Sequence, residues 1–307
     1  MRKMNISQEL LALEVHTRGK HWRLFVGRCV RRLFPGFRLN RRLASLIGRS
    51  VKVSVMGKML DLDLRDEAVS SAIYVEGVWE PCETSFVEKI LRPGMVFVDV
   101  GAHVGYYTLL ASGIVGSGGR VYAFEPDPGN LAFLRRNVRN NQCQNVVVEH
   151  KAVTASSGQL LLYQSANNFG DHRIYEPTDE PAKPREKRRS IVSVDAVSLD
   201  AYFERNPRRI DFLKMDIQGA EYSAFVGMRG VLRRNPEIIV LSEFWPSGLS
   251  QAGVPPELFL SEAQRCGFGL YRLDQNGPHQ ASIAEIMQSV SSGAYASLVF
   301  SRERLLL

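Results

Sequence analysis

Three apolar runs of the sequence end in a carboxylate, and this pattern is the first indication of chemistry. Asp99 lies at the end of MVFVDV, Glu125 ends RVYAFE and Asp216 ends IDFLKMD. If the runs are parallel strands, their carboxyl ends meet at one edge of a sheet, where open α/β sheets bind ligands. Carboxylates at such an edge accept hydrogen bonds or protons. The sequence therefore predicts a ligand site at this edge.

A glycine-containing turn, GAHVG at residues 101–105, follows the first run. Glycine lets the backbone approach a ligand closely and tolerates positive φ. The spacing is not the G-x-G-x-x-G of dinucleotide enzymes, and no Gly-Lys-Ser/Thr phosphate loop is present, which disfavours a pyrophosphate ligand. Glu125 follows at the distance where an acidic residue accepts both ribose hydroxyls of a nucleoside. Together the turn and Glu125 predict an adenosine site.

Short apolar runs alternate with helical segments from residue 95 onward, which is typical of βαβ units and a mostly parallel α/β sheet. The third strand is predicted over residues 145–153, and two closing strands lie near residues 270–273 and 295–300. A single helix is predicted over residues 220–233. Residues 175–189 are rich in proline and charge and predict a mobile loop.

Residues 1–50 differ from the rest of the chain in charge. They hold twelve Lys and Arg against two Glu, whereas the remaining residues hold 27 basic and 30 acidic side chains. Apolar residues from Trp22 to Phe34 recur at three- and four-residue spacing, which predicts a basic amphipathic helix. Such a helix can lie on an anionic membrane or pack on the protein body. We therefore predict a helical extension, residues 1–50, and a domain, residues 51–307.

The domain opens with a predicted β-hairpin at residues 51–64, part of a lead-in that ends at residue 94, before the core at residues 95–307. The 307 residues are 45% hydrophobic and 23% charged, as in ordinary globular proteins. No apolar run reaches the roughly 18 residues of a membrane-spanning helix, and the start lacks a secretory signal. We expect a cytoplasmic protein, with peripheral membrane contact through the extension as an open alternative.

The four cysteines are far apart, which predicts reduced thiols and no metal site.

Four blocks of the chain, in this order, resemble the FkbM family of S-adenosylmethionine-dependent methyltransferases. They are residues 74–81 (YVEGVWEP), 98–108 (VDVGAHVGYYT), 119–127 (GRVYAFEPD) and 210–221 (IDFLKMDIQGAE). The resemblance runs from about residue 64 to residue 273. It implies a Rossmann-like seven-stranded sheet, mostly parallel with an antiparallel last strand. It also implies S-adenosylmethionine as cofactor and methyl transfer to a hydroxyl oxygen of a sugar, glycan, polyketide or other small metabolite.

The resemblance also implies a set of cofactor contacts. It places the methionine moiety near Asp99, Gly101 and Gly105, and the ribose on Glu125. The other implied contacts are Glu80, Ala102, His103, Pro126, Ala152 and Val153. Glu243 and Trp245 follow the fifth strand and are candidates to line an acceptor pocket, since aromatic faces suit sugar rings and polyketides.

The fourth-strand block is expected to hold the transfer site. Asp216 is the preferred candidate to take the acceptor's proton or orient the acceptor, with Lys214 and Glu221 in support. The alternative is that Lys214 and Asp216 form an ion pair that only closes the strand end. Gln218 stands where the family pattern has Glu, and an amide cannot remove a proton. This substitution also weakens the case for a metal. His172, in the polar segment of residues 167–173, is a second candidate base; otherwise we expect this segment to contact substrate or cofactor.

Two other functions remain open from the sequence. The basic extension would allow a nucleic-acid methyltransferase. The net positive charge is confined to residues 1–50, however, and residues 51–307 carry a small net negative charge, which makes a nucleic-acid partner the weaker expectation. Gln218 would allow a binding module that keeps the cofactor fold without catalysis.

Overall fold

The computed structural model describes residues 50–178, 189–204, 209–290 and 294–305. The predicted N-terminal helix lies outside the described residues, as does the middle of the loop predicted at residues 175–189. Within the described ranges, no helix is both long and apolar enough to cross a membrane.

The strands of the described residues are numbered in chain order. They are β1 (Ser50–Val55), β2 (Lys58–Asp63), β3 (Val96–Val100), β4 (Arg120–Phe124), β5 (Val146–Glu149), β6 (Ala152–Val153), β7 (Gly158–Gln164), β8 (Ser190–Val197), β9 (Phe212–Met215), β10 (Ile239–Phe244), β11 (Gly269–Asp274), β12 (Gly277–Gln280) and β13 (Ala296–Ser301).

The helices of the same residues are also numbered in chain order. They are α1 (Val69–Glu76), α2 (Pro81–Ile90), α3 (Tyr106–Val115), α4 (Pro128–Asn140), α5 (Leu199–Glu204), α6 (Glu221–Val226), α7 (Arg229–Arg234), α8 (Pro246–Gln251), α9 (Pro256–Arg265) and α10 (Ile283–Ser289).

The central sheet has the order β12-β11-β13-β10-β9-β3-β4-β5. Strands β3, β4, β5, β9 and β10 pair in parallel, whereas β13 is antiparallel to both β10 and β11. This confirms the mostly parallel, Rossmann-like arrangement with an antiparallel last strand. The first strand of the sheet, β3, lies between β4 and β9, so the strand order reverses there. Such a reversal opens a crevice at the carboxyl ends of the strands.

The sheet differs from the prediction at one edge. Strand β12 pairs antiparallel with β11 and makes an eighth strand. Its sequence, GPHQ, contains Gly, Pro and polar residues and gives no apolar signal, because an exposed edge strand buries little surface.

Two predicted elements are each divided in the structure. The strand expected over residues 145–153 ends at Glu149, and its last part becomes β6 in a separate sheet of order β6-β8-β7. The polar residues at positions 149–151 interrupt the apolar run. The helix expected over residues 220–233 breaks around Gly227 into α6 and α7. A Cβ at Gly227 would lie 2.1 Å from the carbonyl oxygen of Thr154, so this close approach requires glycine, a poor helix former.

The predicted β-hairpin is present as β1 and β2, which pair antiparallel around Met56 and Gly57. Both turn residues have positive φ, 51° and 72°, as a two-residue type I′ turn requires.

Apolar clusters cover both faces of the central sheet. Phe97 and Val98 are fully buried neighbours on β3 and belong to clusters on opposite faces, as the alternation of strand side chains requires. Phe97 stacks on Phe212 of β9 with ring centroids 5.5 Å apart. On the other face, Phe259 meets Phe300 edge to face at 5.6 Å. Burial on both faces fixes the strand ends that carry the polar residues.

Asn137 on α4 joins the hairpin to the turn after β3. Its side-chain oxygen accepts a hydrogen bond from Asp61 N–H at 2.7 Å. Its amide nitrogen donates to the carbonyl oxygens of Asp61 at 3.1 Å and Val104 at 2.8 Å. Because Asn137 is fully buried, water cannot replace these partners.

We expect Asn137→Ala to lower the free energy of unfolding by about 2–3 kcal/mol, since it leaves buried backbone groups without partners. Urea denaturation followed by circular dichroism measures the change. Asn140→Ala, at an exposed position of the same helix, is the control and should change stability by less than about 0.5 kcal/mol. Equal effects of the two substitutions would contradict this role for Asn137.

Candidate active site

A cavity of about 440 Å³ opens at the carboxyl ends of β3, β4 and β9. Most of the residues predicted from the sequence to form the site line this cavity: Glu80, Asp99, Gly101, Ala102, His103, Glu125, Pro126, Ala152, Val153, His172, Lys214 and Asp216. The carboxyl ends of the strands thus bring the predicted residues together, whereas Gly105 and Glu221 do not line the cavity.

The turn after β3 packs directly on the end of β9. Gly101 has a φ of 84°, and a Cβ there would lie 2.1 Å from the carbonyl oxygen of Asp216. The N–H groups of Gly101 and Ala102 both donate to the carbonyl oxygen of Phe124, at 3.0 and 2.9 Å. Only glycine fits such a position. The turn therefore places its backbone on the cavity wall, beside the strand that carries Asp216.

Gly105 has a different place from the one the resemblance implied. It precedes α3 with a φ of 93°, and a Cβ there would meet Cδ1 of Leu134 at 2.7 Å. Its lack of a side chain serves the packing of α3 against α4, outside the cavity.

Glu125 is buried with both carboxylate oxygens held by the backbone. One oxygen accepts from His103 N–H at 2.8 Å, and the other accepts from Asp127 N–H at 2.9 Å. Burial raises the pKa of Glu125 to about 8; the Asp127 carboxylate adds to the rise and the two N–H donors oppose it. A carboxylate oxygen accepts more than one hydrogen bond. The fixed carboxylate can therefore still receive two neighbouring hydroxyls from the cavity.

His103 presents an unpartnered imidazole to the cavity. Its φ is 52°, both ring nitrogens are buried, and neither has a hydrogen-bond partner. Nε2 is 3.7 Å from an oxygen of Asp66, beyond hydrogen-bond distance. Burial lowers the pKa of His103 despite the neighbouring carboxylates of Asp66 and Asp127. Buried polar groups are rarely left unpaired, so this ring fits a site that a ligand fills.

His172 lines the same cavity, and its Nδ1 is hydrogen-bonded. Nδ1 accepts from Ser165 N–H at 2.9 Å, and Nε2 lies 3.6 Å from Asp127. Burial lowers the pKa of His172 to about 4, although Asp127 opposes the shift. Since Nδ1 acts as acceptor, the proton of the neutral ring is on Nε2. No lone pair then faces the cavity, and this geometry does not favour the predicted role of His172 as base.

Lys214 lies at the centre of an acidic group of side chains. Its Nζ is 3.4 Å from Asp216 and 3.9 Å from Glu80, and it lies 4.5 Å from the centre of the Tyr107 ring. Burial lowers the pKa of Lys214, but the carboxylates of Asp216, Glu80, Asp99 and Glu243 together raise it further than burial lowers it. The lysine is therefore a fixed ammonium group.

Gln218 connects two of these carboxylates. Its Nε2 donates to Oδ1 of Asp216 at 3.0 Å and to Oε2 of Glu243 at 2.9 Å. Its φ is 56°, and its carbonyl oxygen accepts from the hydroxyl of Tyr175 at 2.8 Å. A glutamate at position 218 would place a third carboxylate beside those of Asp216 and Glu243. The amide instead holds the two carboxylates without titrating.

Glu221 does not join the group that the sequence assigned to it. Its carboxylate is fully buried and accepts from the N–H groups of Ile217 at 3.0 Å and Gly219 at 2.9 Å. It therefore closes the turn between β9 and α6 from behind the cavity. The sequence motif correctly places Glu221 at the turn after β9, but its side chain does not line the cavity.

The segment after β7, which the sequence predicted to contact substrate or cofactor, lines the cavity. Residues 168–174 all line the cavity. Arg173 lies over the Trp245 ring at 4.6 Å and donates to Gln251 at 3.1 Å. Tyr107 and Asp66 are further residues that the sequence did not single out. Both residues contact parts of the chain that are far away in sequence. A local sequence pattern does not indicate such contacts.

The reversal of strand order at β3 and the cavity beside it agree with a ligand site of the Rossmann-like class of proteins. A model of the methyltransferase FkbM domain matches residues 99–283, and the chain belongs to this family. This confirms the resemblance and the cofactor. The residues present fit the cofactor, because the Gly101 backbone, the Glu125 carboxylate and the unpartnered His103 ring meet in one cavity.

Comparisons with individual proteins give weaker similarities. The chain is 29% identical over 109 residues to a probable cobalt-precorrin-6B C(15)-methyltransferase (decarboxylating) of Sulfolobus acidocaldarius; the match covers 35% of this chain and 56% of that relative. The solved methyltransferase FkbM of Methylobacillus flagellatus KT is 17% identical, with a TM-score of 0.39 over 77% of this chain and 53% of that one. Fibrillarin of Aeropyrum pernix, with natively bound S-adenosyl-L-methionine, is 12% identical, with a TM-score of 0.39 over 72% and 74%.

At about pH 9, where the Glu125 carboxylate is mostly ionised, we expect Glu125→Ala to weaken S-adenosylmethionine binding about a hundredfold, because two hydrogen bonds to a charged group are lost. Isothermal titration calorimetry measures the affinity, with NAD as the competing ligand. Glu257→Ala, at an exposed position of α9, is the control. Unchanged affinity in Glu125→Ala, or binding of NAD, would show that Glu125 does not hold the ribose.

The pH dependence of binding gives a second test of Glu125. Only the ionised carboxylate accepts both hydroxyls, and burial raises the pKa of Glu125 to about 8. The contribution of Glu125 to affinity should therefore increase by about tenfold between pH 7 and pH 9. Glu125→Gln, which does not titrate, removes this contribution. The pH profiles of wild type and Glu125→Gln, both measured by calorimetry, should differ by this amount, and parallel profiles would contradict the assignment.

Proposed function

We propose that the protein transfers a methyl group to a hydroxyl oxygen of a small molecule, such as a sugar, glycan or polyketide. The observation that carries this proposal is the Asp216 carboxylate, held on the cavity wall between the Lys214 ammonium and the Gln218 amide. A carboxylate fixed in this way suits the removal of a proton from a hydroxyl.

S-adenosylmethionine, when bound, supplies an electrophilic methyl group. The chain must then hold the acceptor oxygen in line, take its proton and exclude water. We assign cofactor binding to the Gly101 turn, Glu125 and His103, and proton removal to Asp216. The Lys214 ammonium lies 3.4 Å from the Asp216 carboxylate, and Gln218 holds that carboxylate in one orientation without taking the proton.

Aromatic side chains form part of the cavity wall. Trp79, Trp245 and Tyr295 line the cavity, as does Glu243. Aromatic faces suit sugar rings and polyketides, and neighbouring carboxylates and amides bind hydroxyls. The Sulfolobus acidocaldarius relative is named as a carbon methyltransferase, so carbon is the competing acceptor atom. The polar lining around Asp216 favours oxygen.

The proposal is tested with methyl-¹³C-labelled S-adenosylmethionine and a panel of sugars, glycans and polyketides. Nuclear magnetic resonance distinguishes a methyl carbon bound to oxygen from one bound to carbon. We expect Asp216→Asn to lower kcat by roughly 10²–10⁴-fold, the usual contribution of a general base, and to keep cofactor binding.

Asp195→Asn, at an exposed position of β8, should leave both properties unchanged. Transfer to carbon would overturn oxygen as the acceptor atom. Full activity of Asp216→Asn would overturn Asp216 as the base.

A further inference from the structure

Negative side chains outnumber positive ones around Lys214. We call the carboxylates of Glu80, Asp99, Asp216 and Glu243 the acidic cluster; all four line the cavity, and all four raise the pKa of Lys214. One ammonium cannot balance four carboxylates in a buried site. Within the described residues, no group of three or more His, Cys, Asp or Glu is arranged to hold a metal ion. Burial raises the pKa of Asp99 and raises that of Glu243 well above its usual range, so protons as well as the cofactor can offset the excess of negative charge.

The cofactor changes its charge during the reaction. The methionine moiety, which we assign to this part of the cavity, carries a positive sulfonium before transfer. S-adenosylhomocysteine, the product, differs from it by one methyl group and one positive charge. The acceptor hydroxyl releases one proton in the same reaction. After methyl transfer the cavity has therefore lost the positive charge of the sulfonium, and the proton released by the acceptor hydroxyl needs a new site.

Glu80 is the member of the acidic cluster best placed to hold that proton. Its backbone adopts a left-handed conformation, with φ 45° and ψ 74°, which is strained for a residue other than glycine and places its side chain over the cavity. One carboxylate oxygen accepts from the Tyr107 hydroxyl at 2.8 Å and lies 3.9 Å from Lys214. The charged and titratable groups that interact with it are Glu83 on α2, Tyr106 and Tyr107 on α3, Lys214 on β9, Asp216 directly after β9, Glu243 on β10, and Tyr295.

A second, small cavity joins Glu80 to groups outside the main cavity. It has a volume of about 10 Å³, close to the space that one water molecule needs. Glu80, Asp216 and Glu243 line both cavities, whereas Glu83 and Ser297 line only the small one. The Ser297 hydroxyl donates to Glu83. The carboxylates of Glu80 and Asp216 thus border the same water-sized space.

We infer that the acidic cluster, through Glu80, takes up a proton when methyl transfer removes the positive charge of the cofactor. The inference rests on the proposed function. In the step, the acceptor oxygen bonds to the methyl carbon, and the carbon–sulfur bond breaks with its electron pair moving to sulfur. The hydroxyl proton goes to Asp216 and then to Glu80. Total charge in the cavity stays constant.

The proton affinity of Glu80 agrees with this role. Burial raises the pKa of Glu80 to about 7; Lys214 and the hydrogen bond from Tyr107 oppose the rise, while Asp216 and Glu83 add to it. A cation in the cavity favours the ionised carboxylate, and loss of that cation favours the protonated one. Near neutral pH, Glu80 is therefore ionised beside the sulfonium and protonated beside the product.

The test needs no acceptor. Calorimetric titrations of S-adenosylmethionine and S-adenosylhomocysteine, in buffers of different ionisation enthalpy, count the protons taken up with each ligand. About pH 6.5 is suitable, because the amino groups of both ligands are then mostly protonated. We expect S-adenosylhomocysteine to take up at least about half a proton more than S-adenosylmethionine. The ratio of the product's Kd to the cofactor's Kd should then rise about three- to tenfold per pH unit.

Glu80→Gln should abolish this difference, because glutamine does not titrate. Glu88→Gln, at an exposed position of α2, should keep it. Protons taken up by the ligands themselves, or by Glu125, occur in both variants and cancel in the comparison.

Equal proton uptake with the two ligands in the wild type overturns the inference and leaves the proposed function standing. A full difference in Glu80→Gln overturns the assignment to Glu80. If neither ligand binds the folded wild type, the proposed function fails and the inference fails with it. The wild-type titrations decide the central point even if Glu80→Gln does not fold.

Discussion

The close approach of Gly101 to the carbonyl oxygen of Asp216 is the contact on which the site depends. It joins the turn that follows β3 to the end of β9, and the main chain leaves no space there for a side chain. The turn that we assign to the nucleoside and the residues that we assign to the transfer belong to different βα units, and this contact joins the two units. The apolar clusters on both faces of the sheet hold the two strands in register and make the contact rigid.

Charge is the second constraint. The cavity contains more carboxylates than cations, and two devices make this tolerable in the free protein. Gln218 bridges Asp216 and Glu243 with a neutral amide, and Lys214 lies among the remaining carboxylates. Both side chains lie between carboxylates and keep the carboxylate oxygens apart. A site of this kind discriminates ligands by charge as well as by shape, which matters for a cofactor whose used form differs from its active form by one charge.

Much of this arrangement could be predicted from the sequence, because the end of a buried strand can be recognised where an apolar run stops at a polar residue. Asp99, Glu125 and Asp216 end apolar runs, and parallel strands bring such residues to one edge. The direction of a side chain within a turn is not readable in the same way. Glu221 and Gly105 fit the motif in spacing but lie behind the cavity, since spacing alone does not state which face of a turn a residue occupies.

Other features depend on distant contacts. Asp66 and Tyr107 reach the site only through the folded chain, and the break at Gly227 follows from the proximity of Thr154. The edge strand β12 escaped prediction because its polar sequence has no apolar pattern. Tertiary packing determines these features, and the residue types of a local segment do not predict it.

The aromatic wall of the cavity has an optical consequence. The chain has three tryptophans, and two of them, Trp79 and Trp245, border the cavity. The indole of Trp245 also lies under the guanidinium of Arg173, in the segment that covers the site. A molecule that enters the cavity changes the polarity around these rings, and so changes their emission. The protein thus contains its own fluorescent reporter, through which a collection of compounds can be searched for the acceptor without isotopes or a coupled assay.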